Sequence, residues 1–231
     1  MHGGKPINCL NYFKGYVTLN ASTFEKRKGK LKCMSSFWNE RYREEGFAYG
    51  EEPNVFFAEQ MDSLTSGSLI LPCEGEGRNA VYAASKGWEV NAFDTSVAGK
   101  SKALQLANRK NVRLSYTIQD VEKAAYPLIS TDVIAFIYAH FPATIRRQIH
   151  RKVIGWLKPG GRIILEAFNP LQLQNTSGGP KELSMLYSKE MLLEDFAELQ
   201  IELLETQQIE LKEGKYHNGK ADVIRFVGIK K

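Results

Sequence analysis

The chain has 231 residues, 43% hydrophobic and 25% charged, which suffices for one sizeable core and is ordinary for a soluble globular protein. Its longest apolar run, VIAFIYAHF from Val133, falls far short of the ~20 residues that span a bilayer, so a membrane protein is not suggested. The formal charge of +5 is unevenly placed: residues 1–33 hold a net +6 and the remainder −1, which argues against electrostatic capture of nucleic acid as the main function.

Residues 1–33 read as a peripheral basic extension, with the composition of a disordered leader and a faint likeness to an organelle-targeting segment. They lack the apolar stretch of a signal peptide. Cys9, Cys33 and Cys73 are widely spaced with no Cys-x-x-Cys, so neither a disulfide framework nor a metal site is expected. A reducing compartment, the cytoplasm, follows from that spacing. No Pro- or Gly-rich linker interrupts the rest, which is expected to be one domain over residues 34–231.

From Phe37 onward, helix-like and strand-like segments alternate. FWNERYREE has helical character, and the chain turns at Pro53 before an amphipathic helix through VFFAEQMDSL. SLILP is a short apolar strand stopped by Pro72, RNAVYAASKG a helix ending at Gly87, and EVNAFD a second strand ending in acid. VAGKSKALQLANRKN predicts a helix, RLSYTIQD a third strand and DVIAFIYAHF a fourth. PATIRRQIHRKVIGWL predicts a helix, followed by the turn KPGG and a fifth strand, RIILEAF. Strands separated by helices of this length imply right-handed crossovers and a parallel, doubly wound α/β sheet. IELLETQQIELKEG and ADVIRFVGIKK, joined by a Gly- and Asn-containing turn, predict a C-terminal antiparallel hairpin, giving seven strands in all.

The stretch EGEGRNAVYAASK from Glu74 carries two competing signals. Its left half puts Gly75 and Gly77 in a turn between a strand and a helix, where a cofactor can approach backbone without meeting a Cβ and the helix amides face negative charge. Asp94 ends the next strand, close to the offset at which a carboxylate takes ribose hydroxyls. The right half spells Tyr-x-x-x-Lys with Tyr82 and Lys86, as in short-chain dehydrogenases. In those enzymes the pair lies much later in the chain, so the catalytic reading fails on position.

In this order, the pattern resembles the class I S-adenosylmethionine (SAM)-dependent methyltransferases over nearly all of residues 36–231. FWNERYREEGFAYGEEPN, EGEGRNAVYAASKGWEVNAFDTS, IYAHFP, LKPGGRIILEAF and GGPKELSMLYS resemble the branch that includes tellurite-resistance and thiopurine methyltransferase relatives. The family usually writes Asp-x-Gly-x-Gly-x-Gly. Here Leu71 and Cys73 replace the first acid and first glycine, with Glu74 a nearby carboxylate toward the cofactor's ammonium or sulfonium charge.

The resemblance implies a Rossmann-like fold and places Gly75 and Gly77 against the methionine portion of SAM. It puts Asp94 on the ribose with Thr95 and Ser96 beside it, Asp120 and Val121 around the adenine, Tyr138 under the methyl-transfer centre and Tyr49 over the cofactor. Each keeps a plainer alternative: Asp120 as a helix cap, Tyr138 as core, Tyr49 as an ordinary packed aromatic.

Methyl transfer is an in-line displacement, so positioning is the protein's main contribution. A thiolate or chalcogen oxyanion needs little more, whereas an oxygen or amine acceptor also wants a base. His140 is the candidate to orient an acceptor or take its proton, with fixing the HFP turn as its alternative. Arg146 and Arg147 are expected on a solvated helix face, with attraction of an anionic acceptor as the alternative. The long segment from Asn169, with Gly178, Gly179 and Pro180 at a turn and Met185, Leu186 and Tyr187 beneath, is expected to cover a small-molecule acceptor pocket. Two other functions remain open: a SAM-binding sensor or partner protein without catalysis, and a nicotinamide-dependent oxidoreductase.

Overall fold

The computed structural model describes residues 36–231; the basic extension expected over 1–33 lies outside the described residues. In chain order the elements are α1 (36–41), α2 (Val55–Asp62), β1 (Ser68–Pro72), α3 (Arg78–Ser85), β2 (Glu89–Asp94), α4 (Val97–Arg109) and β3 (Ser115–Ile118). Then follow β4 (Thr131–Ile137), α5 (Ala143–Ile154), β5 (Leu157–Phe168), α6 (Lys189–Asp195), β6 (Leu199–Glu213) and β7 (His217–Lys230).

Local chemistry sets several of these boundaries. Asn54 caps α2 by accepting from the Phe57 amide, Ser96 caps α4 through Gly99, and Ser188 caps α6 through Met191. The KPGG turn interrupts the β4–β5 register, which steps from Thr131↔Leu157 to Val133↔Arg162, with Gly160 at φ +79°. Asp132 pins this end by accepting from Ser68 and Lys158.

The strands form one sheet in the order β3-β2-β1-β4-β5-β7-β6. The first five are parallel, and β7 and β6 close the sheet antiparallel, as the sequence predicts. Alternation along β1 and β4 divides the core. Leu69, Leu71, Val133 and Ala135 pack with Phe57, Ala80 and Ala103 on one face; Ile70, Ile134 and Phe136 pack with Ile149, Val153 and Phe196 on the other.

Chain order reverses between β1 and β4, which opens the crevice at their carboxyl ends. The hairpin overhangs this end: Phe168, the last residue of β5, pairs with Val223, so residues 217–222 of β7 run past it. The segment after β5 is folded down by two 3-10 turns, Pro170–Gln174 and Leu183–Met185. Buried Gln172 bonds Ser177, the Gly178 carbonyl and the Asp222 amide, and Met185, Leu186 and Tyr187 are buried.

The helix face expected to be solvated is only partly so. Arg147 is exposed, paired with Glu194, but Arg146 is buried in an ion pair with Asp195 of α6 at 2.6 Å. His150 shares that carboxylate at 2.9 Å. The arginine is drawn in because α6 brings a buried carboxylate against α5, an event no local pattern announces.

A Cβ on Gly77 would lie 2.4 Å from the Ala103 Cβ at a φ of +85°. Gly77→Ala is therefore expected to cost about 1–3 kcal/mol of folding stability. Urea denaturation checks this as a lower midpoint with unchanged slope.

Candidate functional site

The parallel register Pro72↔Phe93 continues past the strand ends, where the Glu74 amide donates to the Phe93 carbonyl. This brings the glycine turn against Asp94. Asp94 accepts from the Gly75 amide at 3.1 Å and the Ser96 amide at 2.9 Å. Burial pushes the Asp94 carboxyl up, against the lowering effect of those amides and of Thr95.

Cys73, in place of the family's first glycine, takes the left-handed conformation a glycine would take, at φ +58°. Gly75 is needed for close approach: a Cβ there would sit 2.5 Å from the Tyr42 hydroxyl oxygen. The Gly75 carbonyl accepts from Tyr116 at 2.6 Å. Thus the ring of Tyr42, from the segment after α1, lies directly over the turn. The residues present suit SAM in donor set: amides and a carboxylate for the sugar end, and aromatic cover over a glycine backbone.

Other expected residues have stated partners. Glu74 accepts from the Ala80 amide at 2.8 Å and the Asn79 amide group at 3.4 Å, supplying the side-chain cap that Gly77 cannot give α3. Ser96 commits its hydroxyl to Asn39 and the Gly99 amide. Asp120 accepts from the Glu122 amide at 2.9 Å and its carbonyl accepts from Lys123 and Ala124, which closes a turn with no helix after it to cap, while Val121 is buried in the core.

Tyr138, at φ +52°, donates to Glu166 at 2.8 Å and stacks on Phe168. Tyr49 accepts from Arg41 at 3.1 Å, and burial pushes its hydroxyl up to about 12. His140, the expected base, has both ring nitrogens committed to backbone. Nδ1 bonds the Met185 carbonyl at 2.7 Å, and Nε2 accepts from the Phe168 amide at 3.1 Å. Burial lowers its pKa to about 4. Tyr82 and Lys86 meet at Asp62 on the outer face of the helix layer, away from the crevice.

The structure thus gathers Gly75, Gly77, Asp94 and Tyr42 at the ends of β1 and β2, and Tyr138, Tyr49, Phe168 and His217 at the ends of β4, β5 and the hairpin. The sequence reading missed Tyr42, Glu76, Arg78, Glu213 and His217. Glu76 accepts from the Ala48 amide at 2.7 Å and from Lys102 at 2.8 Å. Arg78 pairs with Glu213 at 2.8 Å. Tyr42 lies in the FWNERY run and Glu76 and Arg78 in the EGEGRNA stretch, whereas Glu213 and His217 lie in no motif.

Residues 72–161 match the methyltransferase domain family. No curated protein matches the chain. Among solved structures it is similar, at TM-score 0.70 and 15% identity, to one described as the conversion of a disulfide bond into a thioacetal group during echinomycin biosynthesis, covering 86% of this chain and 92% of that one. It is also similar to TehB from Haemophilus influenzae, at TM-score 0.64 and 15% identity over 85% of this chain and 67% of that. A third is a SAM-dependent methyltransferase from Methanosarcina mazei, at TM-score 0.58 and 14% identity over 78% and 98%. The methyltransferase domain matched over residues 72–161, carried on this Rossmann-like fold, supports an enzyme with SAM as its cofactor. Among the described residues no helix is long and apolar enough to cross a membrane.

Burial raises Glu74 to about 7 from an ordinary 4.5. An acid whose folded pKa is raised binds more protons folded than unfolded between those values, so stability falls as pH rises through that window. The loss is at most about 3 kcal/mol. Glu74→Gln is expected to flatten the stability of the ligand-free protein between about pH 4.5 and 7 relative to the unaltered chain, measured by urea midpoints across pH.

Proposed function

We propose that the unit over residues 34–231 transfers a methyl group from SAM to a small-molecule acceptor. The observation that supports this best is the Gly75 amide bonded to the Asp94 carboxylate at the reversal of strand order. SAM supplies an electrophilic methyl on a sulfonium sulfur. The chain's part is to hold and orient. Gly75 and Gly77 meet the methionine portion, Asp94 takes the ribose hydroxyls with Thr95 and Ser96 fixing its carboxylate, and Asp120 and Val121 flank the adenine.

Tyr138 and Tyr49 wall the space on the acceptor side, and the folded segment from Asn169 with the overhanging hairpin covers it, which suits a small molecule. Glu74, half-buried and capping α3, adds a carboxylate behind the turn. His140 in this reading is a clamp between the end of β4 and the cover, because no ring nitrogen is left for an acceptor.

Soft nucleophiles head the acceptor list: a thiol or chalcogen oxyanion suits the tellurite-resistance and thiopurine branch that the sequence resembles. The structural neighbour whose description concerns a disulfide and a thioacetal supports sulfur in particular. The cysteine spacing keeps the reducing cytoplasm as the compartment proposed.

Calorimetry is expected to show SAM and its demethylated product SAH binding, and NADH and NADPH not. Micromolar nicotinamide binding without SAM binding overturns the reading. Asp94→Ala is expected to weaken SAM binding by about 1.5–3 kcal/mol through lost charged hydrogen bonds.

A further inference from the structure

We propose that His217 is the base that takes the acceptor's proton, held in the required tautomer by Glu213, and that the acceptor is therefore a protic nucleophile such as a thiol or amine. This rests on the methyl-transfer reading.

The placement comes first. His217 opens β7 at the hairpin tip, on the part of the strand that overhangs β5. Its ring lies 4.4 Å from Tyr49, 4.6 Å from Tyr138 and 5.3 Å from Phe168, centroid to centroid. These three rings come from the amino-terminal cap, the end of β4 and the end of β5, so the imidazole stands among the side chains that the methyl-transfer reading places around the acceptor.

The hydrogen bonds set the tautomer. His217 Nδ1 donates to Glu213 Oε2 at 3.2 Å, and the same carboxylate receives Arg78 at 2.8 Å and the Asn54 side chain at 3.2 Å. Burial pushes Glu213 up, but His217 and Arg78 outweigh it and hold the carboxyl down to about 2, so it is ionised and keeps the proton on Nδ1. Nε2 then carries a lone pair, and among the described residues it has no hydrogen-bond partner. His217 is 5% exposed, and its Nε2, unlike that of His150, is not a sealed buried atom without a partner.

Gly178 of the covering segment completes the arrangement. A Cβ there would fall 2.6 Å from the His217 Cδ2 and 3.2 Å from Nε2, at φ +117°. Glycine lets the covering segment pass close over the ring where a side chain would collide with it.

The other described imidazoles are unsuited. His140 has no nitrogen to give. Nε2 of His150 is also unpartnered, but it faces the rings of Phe136, Phe141, Tyr187 and Phe196 inside the core, where no acceptor passes.

The step balances. The acceptor's X–H proton moves to Nε2, the X lone pair forms the X–CH₃ bond, and the electrons of the breaking C–S bond leave with sulfur as a neutral thioether. The imidazolium then returns its proton to solvent. Burial, the largest influence, holds His217 below an ordinary imidazole, with Arg78 and Arg41 acting the same way and Glu213 opposing; Tyr49, Tyr138 and His140 also face it. It is therefore a free base at neutral pH.

The test uses the full chain, with SAH release measured over pH on thiols, amines, selenite and tellurite, and SAM affinity measured by calorimetry for each variant. His217→Gln is expected to bind SAM as the unaltered chain does and to lose 10²–10⁴-fold in kcat on protic acceptors. The acid limb of its pH profile should vanish, and the deficit should shrink at high pH where a thiol ionises unaided. Glu213→Gln is expected to shift that acid limb rather than remove it.

Unchanged kcat and pH profile in His217→Gln overturn the proposal, as does turnover confined to the oxyanions. Loss of SAM binding by this variant assigns His217 a structural role and overturns it too. Failure of the unaltered chain to bind SAM or to methylate any acceptor brings down the methyl-transfer reading, a distinct outcome.

Discussion

The position of β1 between β2 and β4 is the constraint from which the site follows. Parallel pairing of Pro72 with Phe93 sends the glycine turn and Asp94 out of the sheet together, and pairing of Leu69 with Val133 on the other side sends Tyr138 out of β4 across the crevice. Both neighbours are needed. A one-residue slip in either register would carry Leu71 or Phe136 to the opposite buried face, whose packing partners are different. The hydrophobic pattern of three short strands thereby fixes the spacing of polar groups that pack against none of them.

Buried charge reinforces this frame. Glu166 on β5 is fully buried, and it receives Asn54 at 2.6 Å, Tyr138 at 2.8 Å and Arg225 at 2.6 Å. A carboxylate so enclosed is tolerable only with its lone pairs met, and meeting them ties α2, β4 and β7 to one point. Glu213 does the same at the hairpin tip, linking it to Arg78 at the start of α3. These are specifying contacts: the orientation of Tyr138 and of the hairpin tip is set by geometry around carboxylates, where apolar packing alone would leave latitude.

The strands and helices were legible because each is a short apolar or amphipathic run punctuated by Pro, Gly or a capping residue; SLILP, EVNAFD and the KPGG turn needed no distant information. Gly75, Gly77 and Asp94 were legible for the same reason, lying within one strand-turn-helix-strand unit. What was not legible depends on encounters between remote segments. That Tyr42 lies over Gly75, and that Glu213 pairs with Arg78, are tertiary facts that the runs holding Tyr42 and Arg78 do not announce. Arg146 read as a surface residue because Asp195 reaches it only through the folded chain. His140 read as available because the Met185 carbonyl and Phe168 amide that occupy its ring are outside its own turn.

Ala48 shows how closely the two halves of the crevice are yoked. Its amide is held by Glu76 of the glycine turn and its carbonyl by the Tyr216 amide of the hairpin tip, while a Cβ on Gly214 would press within 2.5 Å of the Gly50 nitrogen. The backbone of one residue is thus a rivet through floor and roof. Neither layer can lift without tearing the other's seam, so in amide-exchange terms the crevice opens as a single cooperative unit, and whatever steadies its base also slows the breathing of its canopy.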